Sequence, residues 1–263
     1  MALPFELLVQ DRVALLSFIR PDTLNSLTFE VYQELVQFFE AAPRNDDFDV
    51  IVVTGTGRGF CSGGDVHEII GELFSRDMKG MVEFTRMTGD LVKAIRLVDK
   101  PVIAAINGLA AGAGAVIALA ADLRVMAESA SFRFLFTHVG LTGADMGAGY
   151  LLPHIVGLSK ATEMLMLGDK VDAATAERFG LANRVVPDNE TLDAAMEWAK
   201  RLAEGPRLAI AMTKRMVQNE LTMDIVAAIE AEAQAQALML MGKDHRAFYD
   251  AFKEKRKPRF TGE

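Results

Sequence analysis

Residues 107–116 form the most informative part of this chain and read Asn107-Gly108-Leu109-Ala110-Ala111-Gly112-Ala113-Gly114-Ala115-Val116. An apolar run, residues 101–106, comes before them, and an alanine-rich run that ends at Asp122 comes after them. This order predicts a buried strand, a tight turn of small residues, and a fully buried helix over residues 111–121. Small residues let a ligand or another backbone approach closely, and the unpaired N–H groups of the helix start then face that position.

A second turn of the same character lies earlier, in Gly59-Phe60-Cys61-Ser62-Gly63-Gly64-Asp65. It follows the apolar, β-branched run of residues 50–54, which predicts another short buried strand. Two such turns can aim two backbone N–H groups at one carbonyl oxygen and form an oxyanion hole. Each donor of that kind commonly contributes about 10²–10³ in rate.

The composition narrows the functional class. A length of 263 residues suits one large domain or two small ones, and a formal charge of −8 argues against general nucleic-acid binding. A single cysteine rules out an internal disulfide and suits a reducing compartment. The four histidines show no ligand spacing, so we predict no metal site. Since neither a secretory signal nor a membrane-length apolar run is visible, the sequence predicts a cytoplasmic protein.

Strand and helix patterns alternate through residues 1–190, which favours an α/β core with parallel strands. The core begins with a predicted hairpin over residues 5–19. A helix is predicted over residues 27–42, where apolar residues at 31, 32, 35, 36 and 39 have helical spacing, and a strand is predicted at residues 123–127. Glycines interrupt residues 140–157, and we predict no regular helix or strand there. Residues 191–263 are helix-rich, and we predict that they form a separate C-terminal oligomerisation region.

Five segments together resemble the crotonase superfamily, the enoyl-CoA hydratase/isomerase family. Residues 20–27 resemble its RP-x-x-x-NAL segment, and residues 59–65 resemble its GxxFCAGxD turn. Residues 101–122 resemble PVIAAVNG-x-A-x-GGG with the buried helix that follows, and residues 173–187 resemble A-x-x-A-x-x-x-GLVN-x-VVP. The lysine-rich end before Pro258-Arg259-Phe260 resembles the usual tail.

The resemblance implies a spiral of repeated ββα units with a helical C-terminal trimerisation region, and trimers that often pair into hexamers. It implies an acyl-CoA thioester substrate, as in fatty acid metabolism, and an enolate intermediate. No separate cofactor is expected, because coenzyme A is part of the substrate. By position, the oxyanion donors are the backbone N–H groups of Ser62 and Ala113.

The resemblance also implies substrate contacts from both turns, from an aromatic side chain of the acyl site, and from basic residues near the end that meet the phosphates of coenzyme A, often on a neighbouring subunit. These residues are Cys61, Gly63, Gly64, Asp65, Gly112, Gly114, Phe136, Lys253 and Lys257. From the residues alone, Cys61 is interpreted as a small buried hydrophobe and Asp65 as a carboxylate that stabilises its turn.

The acid or base of the reaction is the main departure from the family. By the resemblance, the first glutamate of the hydratases falls on Val116 and the second on Phe136 or its neighbours in residues 131–136, and neither valine nor phenylalanine can transfer protons. Asp145, in the glycine-rich residues 140–153, fits a branch of enoyl-CoA isomerases that includes a ring-epoxide isomerase of phenylacetate breakdown. One base suffices for a 1,3-shift, and an apolar pocket raises its pKa and makes it a better base. The sequence therefore favours an isomerase with Asp145 as the acid/base.

Three alternatives stay open. The first is an enoyl-CoA hydratase that uses Asp145 alone or with an unidentified partner. The second is a catalytically silent family member that binds acyl-CoA, a nucleotide-like ligand or RNA. A dehalogenase with Asp145 as nucleophile is a weaker third, because residues 68–137 contain no histidine.

Overall fold

Ten strands build two sheets in the computed structural model, which describes residues 3–262. They are β1 (Phe5–Gln10), β2 (Val13–Phe18), β3 (Val50–Gly55), β4 (Gly59–Cys61), β5 (Val102–Ile106), β6 (Leu109–Ala111), β7 (Leu123–Ala127), β8 (Ser131–Arg133), β9 (Lys170–Asp172) and β10 (Arg184–Val186). The six-stranded sheet has the order β1-β2-β3-β5-β7-β10, and the four-stranded sheet has the order β4-β6-β8-β9. All neighbours are parallel except the β1/β2 hairpin and the β8/β9 pair.

Eleven α-helices complete the described part of the chain. They are α1 (Phe29–Ala41), α2 (Gly71–Leu73), α3 (Met78–Leu97), α4 (Ala113–Ala120), α5 (Ala148–Val156), α6 (Leu158–Leu167), α7 (Ala173–Arg178), α8 (Thr191–Ala203), α9 (Arg207–Glu220), α10 (Ile225–Met241) and α11 (Lys243–Lys253). A π-helix, Val66–Ile70, precedes α2, and a 3-10 helix, Leu135–Val139, follows β8. No helix among residues 3–262 is both long and apolar enough to cross a membrane.

The ββα repeat follows from how consecutive strands divide between the sheets. In β3–β4, β5–β6 and β7–β8 the first strand joins the six-stranded sheet and the second joins the four-stranded sheet, and a helix follows each pair. The predicted spiral is therefore confirmed. The prediction that residues 59–61 and 109–111 belong only to turns was wrong, because each forms a strand of the second sheet, and the helix predicted from Ala111 begins at Ala113.

Alternation along the strands gives the six-stranded sheet two buried faces. On β3, Ile51 and Val53 pack into the main core, whereas Val50 and Val52 pack into a second core with α8. The helix α4 is buried along its whole length in the main core, as its apolar sequence predicts. The first predicted C-terminal helix, α8, thus covers the sheet of the α/β core.

A buried ion pair fixes the next helix, α9, to the core. The Lys214 Nζ lies 2.8 Å from Asp122 Oδ2 and also donates to the carbonyl oxygens of Ile95 and Lys100. Several large apolar side chains of α9, α10 and α11 are more than half exposed. These include Val217, Ile225, Val226, Leu238, Met241 and Phe252.

Candidate active site

The two glycine turns meet so closely that side chains would separate them. A Cβ on Gly114 would lie 2.2 Å from the carbonyl oxygen of Cys61. A Cβ on Gly63 would lie 3.0 Å from the oxygen of Ala111 and 3.3 Å from the nitrogen of Ala113. Gly63 also has φ +97°, a conformation that favours glycine. The small residues of the sequence therefore serve a direct contact between the two backbones.

The free donors of this contact are the N–H groups of Gly64 and Ala113. Neither forms a backbone hydrogen bond within the described residues, although both neighbours of Gly64 do: Leu27 N–H donates to Gly63, and Asp65 N–H donates to Leu27. Ala113 is the first residue of α4, where an N–H has no partner inside the helix. Two unpaired N–H groups on touching turns suit one carbonyl oxygen.

Ser62 does not supply a donor, and this part of the sequence prediction needs correction. Its N–H donates to the carbonyl oxygen of Leu24 at 2.9 Å, and its hydroxyl donates to the carbonyl oxygen of Thr23. The Gly63 N–H donates to the Cys61 sulfur, and the positive φ of Gly63 turns the chain at that point, so the first free N–H after Ser62 belongs to Gly64. Gly64 appeared in the prediction only as a substrate contact.

Asp65 holds the first turn in place. Its carboxylate accepts from Ser26 Oγ at 2.8 Å, from the N–H groups of His67 and Glu68 at 3.0 and 3.1 Å, and from Arg20 at 3.2 Å. The Glu68 hydrogen bond is the largest of the causes that hold the pKa of Asp65 below its ordinary value. Since protein donors satisfy this buried carboxylate, the turn-stabilising interpretation is confirmed and the predicted substrate contact is not supported.

Cys61 and Phe136 are parts of the core rather than exposed ligand contacts. Cys61 is fully buried, and burial raises the pKa of its thiol to about 12, so it stays neutral. Phe136 is 7% exposed, and Val116, at the other position where hydratases carry a glutamate, is 0% exposed. The interpretation of Cys61 as a small buried hydrophobe is therefore confirmed.

Asp145 lies just before α5, in a sharp turn. The following residues, Met146 and Gly147, have φ +50° and +94°, and Ala148 N–H donates to the backbone oxygen of Asp145 at 2.8 Å. The residue is half-buried, and its carboxylate forms no hydrogen bond or ion pair with another side chain among residues 3–262. Burial raises the pKa of Asp145 above its ordinary value, against the opposing hydrogen bond from Met146 N–H. A carboxylate in this state is a stronger base than an ordinary aspartate.

Tyr32 is a polar residue of this region that the sequence prediction missed. It lies on α1 and is 2% exposed, and its hydroxyl forms no hydrogen bond with the described residues. Its pKa is raised well above the ordinary value, first by burial and then by electrostatic interactions with Cys61 and Asp145. Tyr32 is therefore coupled electrostatically to the first turn and to Asp145. In the sequence, Tyr32 counted only as one apolar position of the α1 pattern.

Lys253 and Lys257 lie far along the chain, at and beyond the end of α11. Lys257 Nζ is 2.6 Å from Glu204 Oε2, and Lys253 Nζ lies 4.9 Å from the ring centroid of Tyr249. Both are exposed, and no hydrogen bond or ion pair in the described chain connects them with the two turns. Their predicted contact with coenzyme A stays a prediction.

The spiral and its two touching turns define a protein of the crotonase fold. A sequence model of the family described as "Enoyl-CoA hydratase/isomerase" matches residues 9–263. The chain is 34% identical over 256 residues to the 1,2-epoxyphenylacetyl-CoA isomerase of Escherichia coli K12, with 97% of each chain covered. It is 37% identical over 259 residues to a probable enoyl-CoA hydratase of Mycobacterium bovis, covering 95% of this chain and 89% of the relative.

A crystal structure of a candidate enoyl-CoA hydratase from Streptomyces coelicolor is similar along nearly the whole chain. The TM-score is 0.96 at 50% identity, with 98% of this chain and 94% of the other covered. The chain therefore belongs to the enoyl-CoA hydratase/isomerase family of the crotonase superfamily. Acyl-CoA thioesters are the substrates of that family.

Proposed function

We propose that this protein isomerises the double bond of an enoyl-CoA thioester. The carboxylate of Asp145 removes a proton from C2 of a 3-enoyl thioester, and the electron pair spreads over C2 to C4 and the thioester oxygen. The N–H groups of Gly64 and Ala113 hold the negative oxygen. Asp145 then returns the same proton to C4, which yields the 2-enoyl thioester.

The observation that carries this proposal is the half-buried carboxylate of Asp145, just before α5, which packs against α4, the helix that follows the second turn. Asp145 has a raised pKa, and buried apolar residues occupy the two positions of the hydratase glutamates. Hydration needs a base that orients water and an acid that protonates C2. A 1,3-shift needs one group that takes the proton and gives it back. The similarity to an epoxyphenylacetyl-CoA isomerase supports the same choice.

Hydration is the second candidate, and two observations favour it. The relatives from Mycobacterium bovis and Streptomyces coelicolor are both named as hydratases. Tyr32 also places an unpaired hydroxyl near Asp145, and a hydroxyl can orient a water molecule. Its raised pKa keeps it neutral, so it serves as a hydrogen-bond donor and not as a base.

The deciding experiment follows linear and aromatic 2-enoyl and 3-enoyl thioesters of CoA in deuterated water by proton NMR and mass spectrometry. We expect double-bond migration, with deuterium entering only in those turnovers in which the Asp145 carboxyl exchanges its proton with solvent before returning it, and we expect Asp145→Asn to abolish both. Asp169→Asn is the control, because Asp169 is an exposed carboxylate without a hydrogen-bond partner among the described residues. Addition of water that is lost in Asp145→Asn would support the hydratase instead. CoA binding without turnover of any thioester would support a silent acyl-CoA-binding member.

We also propose that the protein forms a homotrimer or a hexamer of two trimers in the cytoplasm. The exposed apolar side chains of α9 to α11 support self-association, because faces of this kind commonly mark protein–protein contacts. Lys253 and Lys257 would then meet the phosphates of coenzyme A. Light scattering coupled to size-exclusion chromatography tests the assembly, and a monomer at micromolar concentration would refute it.

A further inference from the structure

A groove of about 550 Å³ begins next to Asp145 and runs between α3, α5 and the end of α9. Met146 and Gly147, the two residues after Asp145, form part of its wall. Because consecutive Cα atoms are about 3.8 Å apart, this wall starts within a few ångströms of the Asp145 backbone. An acyl chain that extends past Asp145 therefore has this groove beside it.

The inner part of the groove is apolar. Met146, Val92 and Leu151 line it, and each of them is less than a tenth exposed. Such a floor suits the methylene groups of an acyl chain.

Three cationic side chains line the outer part of the groove, and Arg86 is the one without a carboxylate partner among the described residues. Arg86, Lys93 and Arg96 line the groove, and its lining contains no aspartate or glutamate. Lys93 pairs with Asp90 at 2.7 Å, and Arg96 lies 4.0 Å from Asp122, both outside the lining. The exposed Arg86 forms no hydrogen bond or ion pair with the described residues. Although the chain has a net charge of −8, the unpaired Arg86 gives this groove a local positive charge that suits an anion.

An unpaired amide adds to this argument. The Nε2 of Gln218, on α9, is buried and has no hydrogen-bond partner among residues 3–262. Gln218 lines the same groove as Arg86. A buried donor without an acceptor is costly, so a ligand oxygen in the groove is favoured once the Gln218 side chain turns its amide toward it.

We propose that the groove binds the far end of the acyl chain and that this end carries a carboxylate, so that the preferred substrates are ω-carboxyacyl-CoA thioesters. Arg86 presents its guanidinium fork to the carboxylate, and Gln218 donates a further hydrogen bond. This inference rests on the proposed function, because it takes acyl-CoA as the ligand. It adds the chemical class of the acyl group, which the oxyanion hole and Asp145 do not specify.

Calorimetric titration with two saturated, unreactive ligands tests the inference. Hexanoyl-CoA and adipoyl-CoA have six acyl carbons each and differ in the terminal carboxylate. We expect wild type to bind adipoyl-CoA about tenfold more tightly, as a hydrogen-bonded charge of this kind predicts. Arg86→Met should remove the preference, and Gln218→Leu should reduce it. Lys79→Met is the matched control, because it removes one positive charge from the same helix outside the groove.

Each outcome decides a different point. Equal binding of the two ligands by wild type, or a preference that survives in Arg86→Met, would overturn the inference while leaving the acyl-CoA site intact. Binding of neither ligand would refute the proposed function and this inference with it. If Arg86→Met changed the sedimentation of the protein and not its ligand preference, a second copy of the chain would occupy the groove, and the inference would fall.

Discussion

We expect Gly114→Ala to damage catalysis more than substrate binding. The new Cβ would lie 2.2 Å from the oxygen of Cys61, whereas ordinary contacts begin at 3.4 Å, so the two turns must separate by about 1.2 Å. This separation moves the N–H groups of Ala113 and Gly64 apart. A misplacement of about 1 Å can cost about 10²-fold in rate, and loss of one oxyanion donor costs about 10²–10³-fold.

The assay measures kcat and KM for the thioester that wild type turns over, together with the free energy of unfolding from chemical denaturation. We expect kcat to fall by about 10²-fold or more with a smaller change in KM, and stability to fall by about 1–3 kcal/mol from overpacking. Gly71→Ala is the matched control. Gly71 has ordinary helical angles, φ −61° and ψ −41°, and its Cβ would meet only one atom, at 4.0 Å.

The reasoning fails if Gly114→Ala keeps the kcat of wild type while folding normally. It also fails if Gly71→Ala loses as much activity, because the effect would then belong to any added methyl group. A loss of stability in Gly114→Ala without a change in kcat would leave the contact between the turns as a structural feature and remove the oxyanion role from Gly64 and Ala113.

Four further predictions concern Asp145, Tyr32 and Lys214. The acid limb of kcat/KM against pH should have its midpoint above 3.8, because burial raises the pKa of Asp145; a midpoint at or below 3.8 contradicts this. The folded state then holds this proton more tightly than the unfolded state, so stability declines as pH rises from 3.8 through the raised pKa, and denaturation of Asp145→Asn should lack that decline. Tyr32→Phe should lower kcat with little change in KM, and an unchanged kcat would leave Tyr32 as core only. Lys214→Met should lower the free energy of unfolding by about 1.5–3 kcal/mol, because Asp122 loses its closest charged partner and keeps the longer contact with Arg96, whereas Lys79→Met, which breaks an exposed pair, should cost less than about 1 kcal/mol.

The sequence predicted the long elements well because their patterns extend over several turns. The helix predicted over residues 27–42 is α1 (Phe29–Ala41), and the strand predicted at residues 123–127 is β7. The four-stranded sheet was not predicted, because each of its strands has three residues, too few to show a period of two. The helix α5 was missed because glycines flank it and Pro153 lies inside it.

Prediction of the site from the sequence had a similar limit. The sequence located both turns, but it could not decide which N–H is free, because that depends on the positive φ of Gly63 and on Leu24, which occupies the N–H of Ser62. Leu24 lies in the segment with the RP-x-x-x-NAL resemblance, whose Asn25 also donates to the carbonyl oxygen of Gly59 at 2.8 Å. That segment therefore shapes the first turn, a role that its spacing in the sequence did not predict.

The absence of the two hydratase glutamates and the raised pKa of Asp145 both favour a reaction that uses one proton-transferring group. Apolar residues at Val116 and Phe136 remove the groups that would orient water and donate a second proton. Burial strengthens Asp145 as a base toward a weak carbon acid. Tyr32, the other polar group that senses this carboxylate, is held neutral by its raised pKa and cannot accept the proton. The proton that Asp145 removes therefore has no second acceptor among these groups, and its return to a different carbon of the same substrate is the step that the proposed isomerisation assigns to Asp145.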